Sequence, residues 1–232
     1  GLAENGWDPL EAHMPSTIDI SDKFGKVRTA ECMGLVIQLY PANLQAHEPL
    51  GKVEGITLHW EATDRDDAYN DYHLCILHDP RGKRACIAKC LDLAQKGQHA
   101  WGRNTGLYGI ALAAMATGFP ATPEEIDAMA LSVAEGCFKL KLNPRGKLRL
   151  AKKKRVGNAL VTVAGFIEVP VVHDHAHLAV HDGYASDRWD IGSQLPKTHK
   201  YNLYVLVMAK ALVIYDQLVA GKRKPILTSL FT

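Results

Sequence analysis

The sequence lacks a Cys-x-x-Cys pair, a large charge imbalance and any apolar run of membrane-spanning length. Its five cysteines (Cys32, Cys75, Cys86, Cys90 and Cys137) are odd in number, which argues against a full disulfide framework. Reduced, mostly buried thiols are the expectation. Lys and Arg number 27 against 25 Asp and Glu, a formal net charge of +2, too small by itself to imply a nucleic-acid binder. The stretch Tyr204-Val205-Leu206-Val207-Met208-Ala209 meets Lys210 and Asp216 before it reaches spanning length, so it reads as a buried or amphipathic helix. The chain opens Gly-Leu-Ala-Glu-Asn, without the basic start and apolar run of a secretory leader, although Gly1 in place of an initiator Met leaves room for a trimmed terminus. A soluble protein is expected. Repeats and low-complexity tracts are absent too. With 232 residues, 47% of them hydrophobic, the chain can bury one sizeable core, and a single domain over 1–232 is expected.

Patterning is weak before residue 50. Pro9, Pro15, Pro41 and Pro49 interrupt it, and Met33 to Tyr40 is the one plausible strand of an otherwise irregular N-terminal extension. From Val53 the pattern sharpens. Ile56 and Leu58 alternate with Thr57 and His59, so a strand there puts His59 on the face opposite the two aliphatics. Further strands are expected at Tyr72 to Leu77, closed by the turn Asp79-Pro80-Arg81-Gly82, at Tyr108 to Ala113, and at Val169 to Val172. Thr122, Pro123 and Glu125 form a capping box ahead of Ile126, Met129, Ala130, Val133 and Cys137, which share one helical face. A last helix is expected at about 201–219. Strands interleaved with helices predict an α/β (α+β) domain with a central mixed β-sheet flanked by helices.

The chemistry concentrates in His59 and in the run His173-Asp174-His175-Ala176-His177 … Arg188-Trp189-Asp190. Two imidazoles and one carboxylate are the kind of set that holds a catalytic zinc and leaves its fourth position open. From the residues alone, His173, His177 and His181 compete with His175, because strand alternation would put 173, 175 and 177 on one face. Asp187 likewise competes with Asp190. A lone histidine at a strand end is more often a satisfied structural residue than a ligand, and Tyr72 could equally be a core aromatic.

Four ordered motifs over Ile56 to Leu195 resemble the type-2 family of N-acetylmuramoyl-L-alanine amidases, which includes phage endolysins and is related to the peptidoglycan recognition proteins. They are Ile56-Thr57-Leu58-His59-Trp60-Glu61-Ala62-Thr63; Tyr72-His73-Leu74-Cys75-Ile76; His99-Ala100-Trp101-Gly102-Arg103-Asn104 followed by Tyr108-Gly109-Ile110; and Asp182-Gly183-Tyr184 with the close Arg188-Trp189-Asp190. The resemblance implies an amidase fold and a Zn2+ cofactor held by His59, His175 and Asp190, with His175 placed by its distance from Asp182-Gly183-Tyr184. It implies Tyr72 and Arg188 as catalytic groups, and His99, Asn104 and Trp60 at the substrate. Guanidinium stays protonated, so Arg188 would stabilise charge rather than donate a proton; otherwise it would pair with a carboxylate such as Asp182 or Asp187. Two departures stand out. Ala111 occupies a position where some members carry glutamate, which shifts weight to Tyr72, and Arg188 replaces the commoner lysine.

The implied activity is hydrolysis of the amide between N-acetylmuramic acid and L-alanine in peptidoglycan, as in a bacteriolytic phage or prophage lysin released from the cytoplasm at lysis. A non-catalytic recognition protein and a cytosolic amidase acting on recycled muropeptides are the alternatives. The segment 141–169 reads as a basic insertion. Lys141 to Arg155 holds eight Lys or Arg and no acid, either a solvated hairpin or a contact for an anionic wall polymer or membrane surface. Nucleic acid is a poor partner for it, because the run lacks interleaved aromatics on which bases stack.

Overall fold

The computed structural model describes residues 14–42, 48–60, 64, 66–78, 84–100, 102–113, 121–183, 191 and 202–232. Strands β1 (Ser16–Asp19), β2 (Thr29–Cys32), β3 (Leu35–Tyr40), β4 (Gly55–Trp60), β5 (Asp67–Tyr69), β6 (Leu74–His78), β7 (Ala85–Lys89) and β8 (Leu107–Leu112) precede helix α1 (Pro123–Leu140). Then come β9 (Lys147–Val156), β10 (Ala159–Pro170), β11 (Val172–Asp174), α2 (His175–Asp182), α3 (Leu203–Val219) and a closing 3-10 turn at Thr228–Phe231. The fold is mixed α/β, with three α-helices among the described residues.

A six-stranded sheet in the order β1-β7-β6-β8-β4-β11 forms the centre. Strands β6, β8, β4 and β11 run parallel, whereas β7 pairs antiparallel with β6 and carries β1 at the edge. Strands β6 and β8, in the middle of the sheet, are buried and apolar along nearly their whole length because both faces are covered, whereas β4 and β11 also carry polar residues. Alternate residues go to opposite sides. Ile56, Leu58, Leu74, Ile76, Ile110 and Val172 face the buried sides of α1 and α3, including Met129, Val133, Val207 and Ile214. Cys75, Leu77, Cys86 and Ala88 face the other way, onto Leu35, Ile37 and Leu39 of a three-stranded sheet ordered β2-β3-β5.

Helix α1 starts where its capping box predicts. The Thr122 hydroxyl accepts from the Glu125 amide at 3.3 Å and the Glu125 carboxylate accepts from the Thr122 amide at 2.7 Å. Residues 14–42 are less irregular than their sequence implies, since β1 and β2 lie there. Each has four residues and alternates exposed with half-buried or buried positions, Cys32 at the end of β2 being the one buried residue, which leaves little apolar signal. The predicted strand from Met33 begins instead at Leu35, because Met33 (φ 53°) and Gly34 (φ 85°) make the turn after β2. The strand expected from Tyr72 starts at Leu74, and the turn expected at 79–82 lies outside the described residues. The strand expected at 169–172 divides, Pro170 ending β10 and Val172 opening β11. Segment 141–169 is dominated by the long antiparallel hairpin β9/β10, with a bulge between Thr162 and Phe166. Its base packs Leu148, Ile167 and Val169 against Leu178 of α2. No helix among the described residues is long and apolar enough to cross a membrane.

Candidate functional site

Register lines up the chemistry in rows across the parallel strands. Thr57, Gly109 and His173 share one row, and two residues further on His59 pairs with Ala111, which pairs with Cys75. His59 thus stands near the end of β4 on the face away from α1, as alternation predicts. Strand β11 stops at Asp174, and the chain turns into α2 so that His175, its first residue, meets His59 with ring centroids 5.1 Å apart at 66°. The Tyr72 ring lies 5.2 Å from His59, and the His99 ring 5.0 Å.

Hydrogen bonds fix the protonation of this group. The Leu107 carbonyl, 3.1 Å from His99 Nε2, can only accept, so that nitrogen carries the proton. Burial, then the nearby His59 and His73, holds the His99 pKa well below the ordinary imidazole range, so the ring is neutral and its Nδ1 accepts. The donor 3.1 Å away is His59 Nε2–H. His59 is also kept neutral, by burial and by His175, and its electron pair therefore resides on Nδ1. Gly109 makes this arrangement possible, since a Cβ there would lie 2.6 Å from the His99 ring. Beneath it, His73 Nδ1 accepts from the Gly109 amide and its Nε2–H donates to the Gln95 carbonyl, each at 2.9 Å.

The histidine run resolves into distinct environments because strand gives way to helix within it. His173 is wholly buried, its Nδ1–H donating to the Pro170 carbonyl at 3.0 Å and its Nε2 accepting from the Thr57 hydroxyl at 2.9 Å. Burial pushes its pKa down to about 3. His177 closes the N-cap box of α2 with Asp174, whose carboxylate accepts from the His177 amide at 3.0 Å. His181 is exposed on the last turn of α2. Strand alternation past Asp174 therefore does not hold, and His175 is the member of the run whose ring packs on His59.

Arg188 and Asp190 lie outside the described residues. Among the described residues no group of three His, Cys, Asp or Glu is placed to hold a metal. What they bring together is His59, His175, Tyr72 and His99. Trp60, expected at the substrate, packs instead against the helix-side core, because it follows His59 in β4 and so points to the opposite face. His99 is 5% exposed and is engaged beneath His59 rather than lining an open groove. The Asn104 side chain accepts from the Ala100 amide at 2.5 Å and so shapes its own turn.

An ion pair absent from the sequence reading braces this turn. Arg103 donates from Nε and Nη2 to the two carboxylate oxygens of Asp182 at 2.5 and 2.6 Å, and from Nη1 to the Ala151 carbonyl at 3.0 Å. Both residues are buried. Asp182, considered above as a partner for Arg188, is thus bound by Arg103. The only sequence signal was an arginine inside the His99–Asn104 turn. Lys153 of β9 also reaches this turn, donating to the Gly102 carbonyl.

No family model and no curated protein matches the sequence. Among solved structures, the chain is similar to the Staphylococcus aureus hydrolase AmiA in complex with its ligand, at 14% identity and a TM-score of 0.45, over 89% of this chain and 92% of that one. It is also similar to the N-acetylmuramoyl-L-alanine amidase LysC from Clostridium intestinale URNW, at 14% identity and a TM-score of 0.44, over 75% of this chain and 96% of that one.

Proposed function

We propose that the chain is a zinc-dependent peptidoglycan hydrolase that cleaves the amide between N-acetylmuramic acid and L-alanine, in the setting of a phage or prophage lysin. The observation that carries the reading is the packing of His175 on His59 while His99 holds the proton of His59 on Nε2. Imidazole binds a metal through its unprotonated nitrogen, and a neighbouring acceptor that fixes the other N–H is the usual support for a metal-bound histidine. His59 Nδ1 and a His175 nitrogen fit two positions of a zinc site, and Asp190 is assigned the third. Zinc held there would supply a Lewis acid for the scissile carbonyl.

The chain's own groups do the rest. Tyr72, beside His59, is assigned to orient the attacking water or to donate to the developing oxyanion. Ala111 lies level with His59 on the neighbouring strand, so no carboxylate comes from that position and Tyr72 is left with the role. Arg188 is assigned to neutralise charge on the same oxygen. The basic strand β9 is assigned to hold the enzyme near anionic wall polymers. The test is release of new L-alanine amino termini from purified peptidoglycan. Chelation should abolish it and zinc should restore it, whereas full activity in metal-stripped protein would refute the reading.

A further inference from the structure

Cys32 ends β2 in the small sheet, and Cys86 lies in β7 of the central sheet, 54 positions away. Their sulfurs are 2.7 Å apart, both residues are buried at 7% and 4% exposure, and each side chain points into the core between the two sheets. Two unbonded sulfurs at that separation lie well inside van der Waals contact, whereas a disulfide bond is about 2.05 Å long. The remaining thiols are engaged elsewhere. Cys75 donates to the Tyr69 carbonyl at 3.4 Å, Cys90 to the Ala88 carbonyl at 3.5 Å, and Cys137 belongs to the helix-side core.

We propose that Cys32 and Cys86 form a disulfide that fastens the three-stranded sheet to the central sheet. Both thiols lose a proton and an electron, the S–S bond forms, and the two electrons reduce a small-molecule disulfide such as oxidised glutathione to two thiols. Attack by one thiolate on the small disulfide forms a mixed disulfide, and the neighbouring sulfur, already in contact with it, displaces the remaining glutathione as a thiol. The loop closed by the bond contains β3 to β6 and therefore both His59 and Tyr72. The expected reduced state of all five cysteines is replaced, on this proposal, by one cross-link and three thiols.

The test counts thiols and is independent of metal content and of activity. The full chain is refolded in a mixture of reduced and oxidised glutathione, denatured, alkylated and weighed. Three alkylated cysteines of the five, a mass two hydrogens lighter, and a Cys32–Cys86 cross-linked peptide are expected. Reduction should restore five alkylations and lower the melting temperature by roughly 5–10 °C. Cys32→Ser and Cys86→Ser should each leave four alkylatable thiols under the same conditions. Five alkylations in the oxidised wild type, a cross-link between other cysteines, or glutathione retained on one cysteine without an internal bond would each overturn the proposal.

Discussion

His99 belongs to no strand of the sheet, yet, anchored on the Leu107 carbonyl of β8, it sets the proton that decides which nitrogen of His59 carries the electron pair. On the proposed reading, His99→Ala should keep the fold and lower zinc affinity about ten- to a hundredfold, the usual range for losing a supporting partner. Gly109→Ala should do the same from below by displacing the ring. Competition against a chelator measures both, and unchanged affinity in the two variants would reduce His99 to packing. Tyr72→Phe should retain zinc and lose about ten- to a thousandfold in turnover. Wild-type turnover would assign Tyr72 to the core alone. The facing of His59 was readable from the sequence because strand period two needs only its neighbours. Trp60 was misplaced by neglecting the same rule one residue later. His175 could not be separated from His173 and His177 by periodicity, since the period changes at Asp174, and the one local hint was an aspartate in N-cap position.

At the scale of elements, α2, the β9/β10 hairpin and the turn after His99 depend on the Arg103–Asp182 pair. Removing one partner leaves a buried charge, so Arg103→Ala should cost about 3 kcal/mol or more, roughly 6–12 °C in melting temperature. A change of a degree or less would show that water takes the place of the guanidinium. The pair spans 79 positions, and nothing local in a single sequence announces such a contact, unlike the capping box of α1, which lies within four residues. The hairpin behaves differently along its length. Lys153 is tied to the turn near the site, whereas Lys152, Lys154 and Arg155 are exposed. Changing those three to Gln should weaken binding to intact sacculi and flatten its salt dependence while leaving turnover of a small soluble muropeptide unchanged, because exposed charges act through a field screened over about 10 Å at 0.1 M salt. Equal loss on both substrates would place that strand in the reaction itself.

The whole molecule is a sheet with two unlike faces. Helices α1 and α3 cover one with aliphatic side chains, and the other carries the small sheet toward β7 and the histidines toward β4 and β11. The helical face and the parallel strands were legible because long apolar periodicities specify them. The small sheet was not, since short edge strands gain their stability from a partner distant in sequence. This division explains why the site forms where it does: parallel strands end together, and the face not covered by α1 and α3 is where His59 meets His175 at the start of α2. The central claim is that His59, His175 and Asp190 hold one zinc ion there. Diffraction from zinc-loaded crystals above and below the zinc absorption edge tests it most directly. The account predicts one anomalous peak about 2.0–2.1 Å from His59 Nδ1 and from a His175 nitrogen, and about 2.0–2.2 Å from an Asp190 oxygen. A peak elsewhere, or none at that position with zinc in excess, would contradict it.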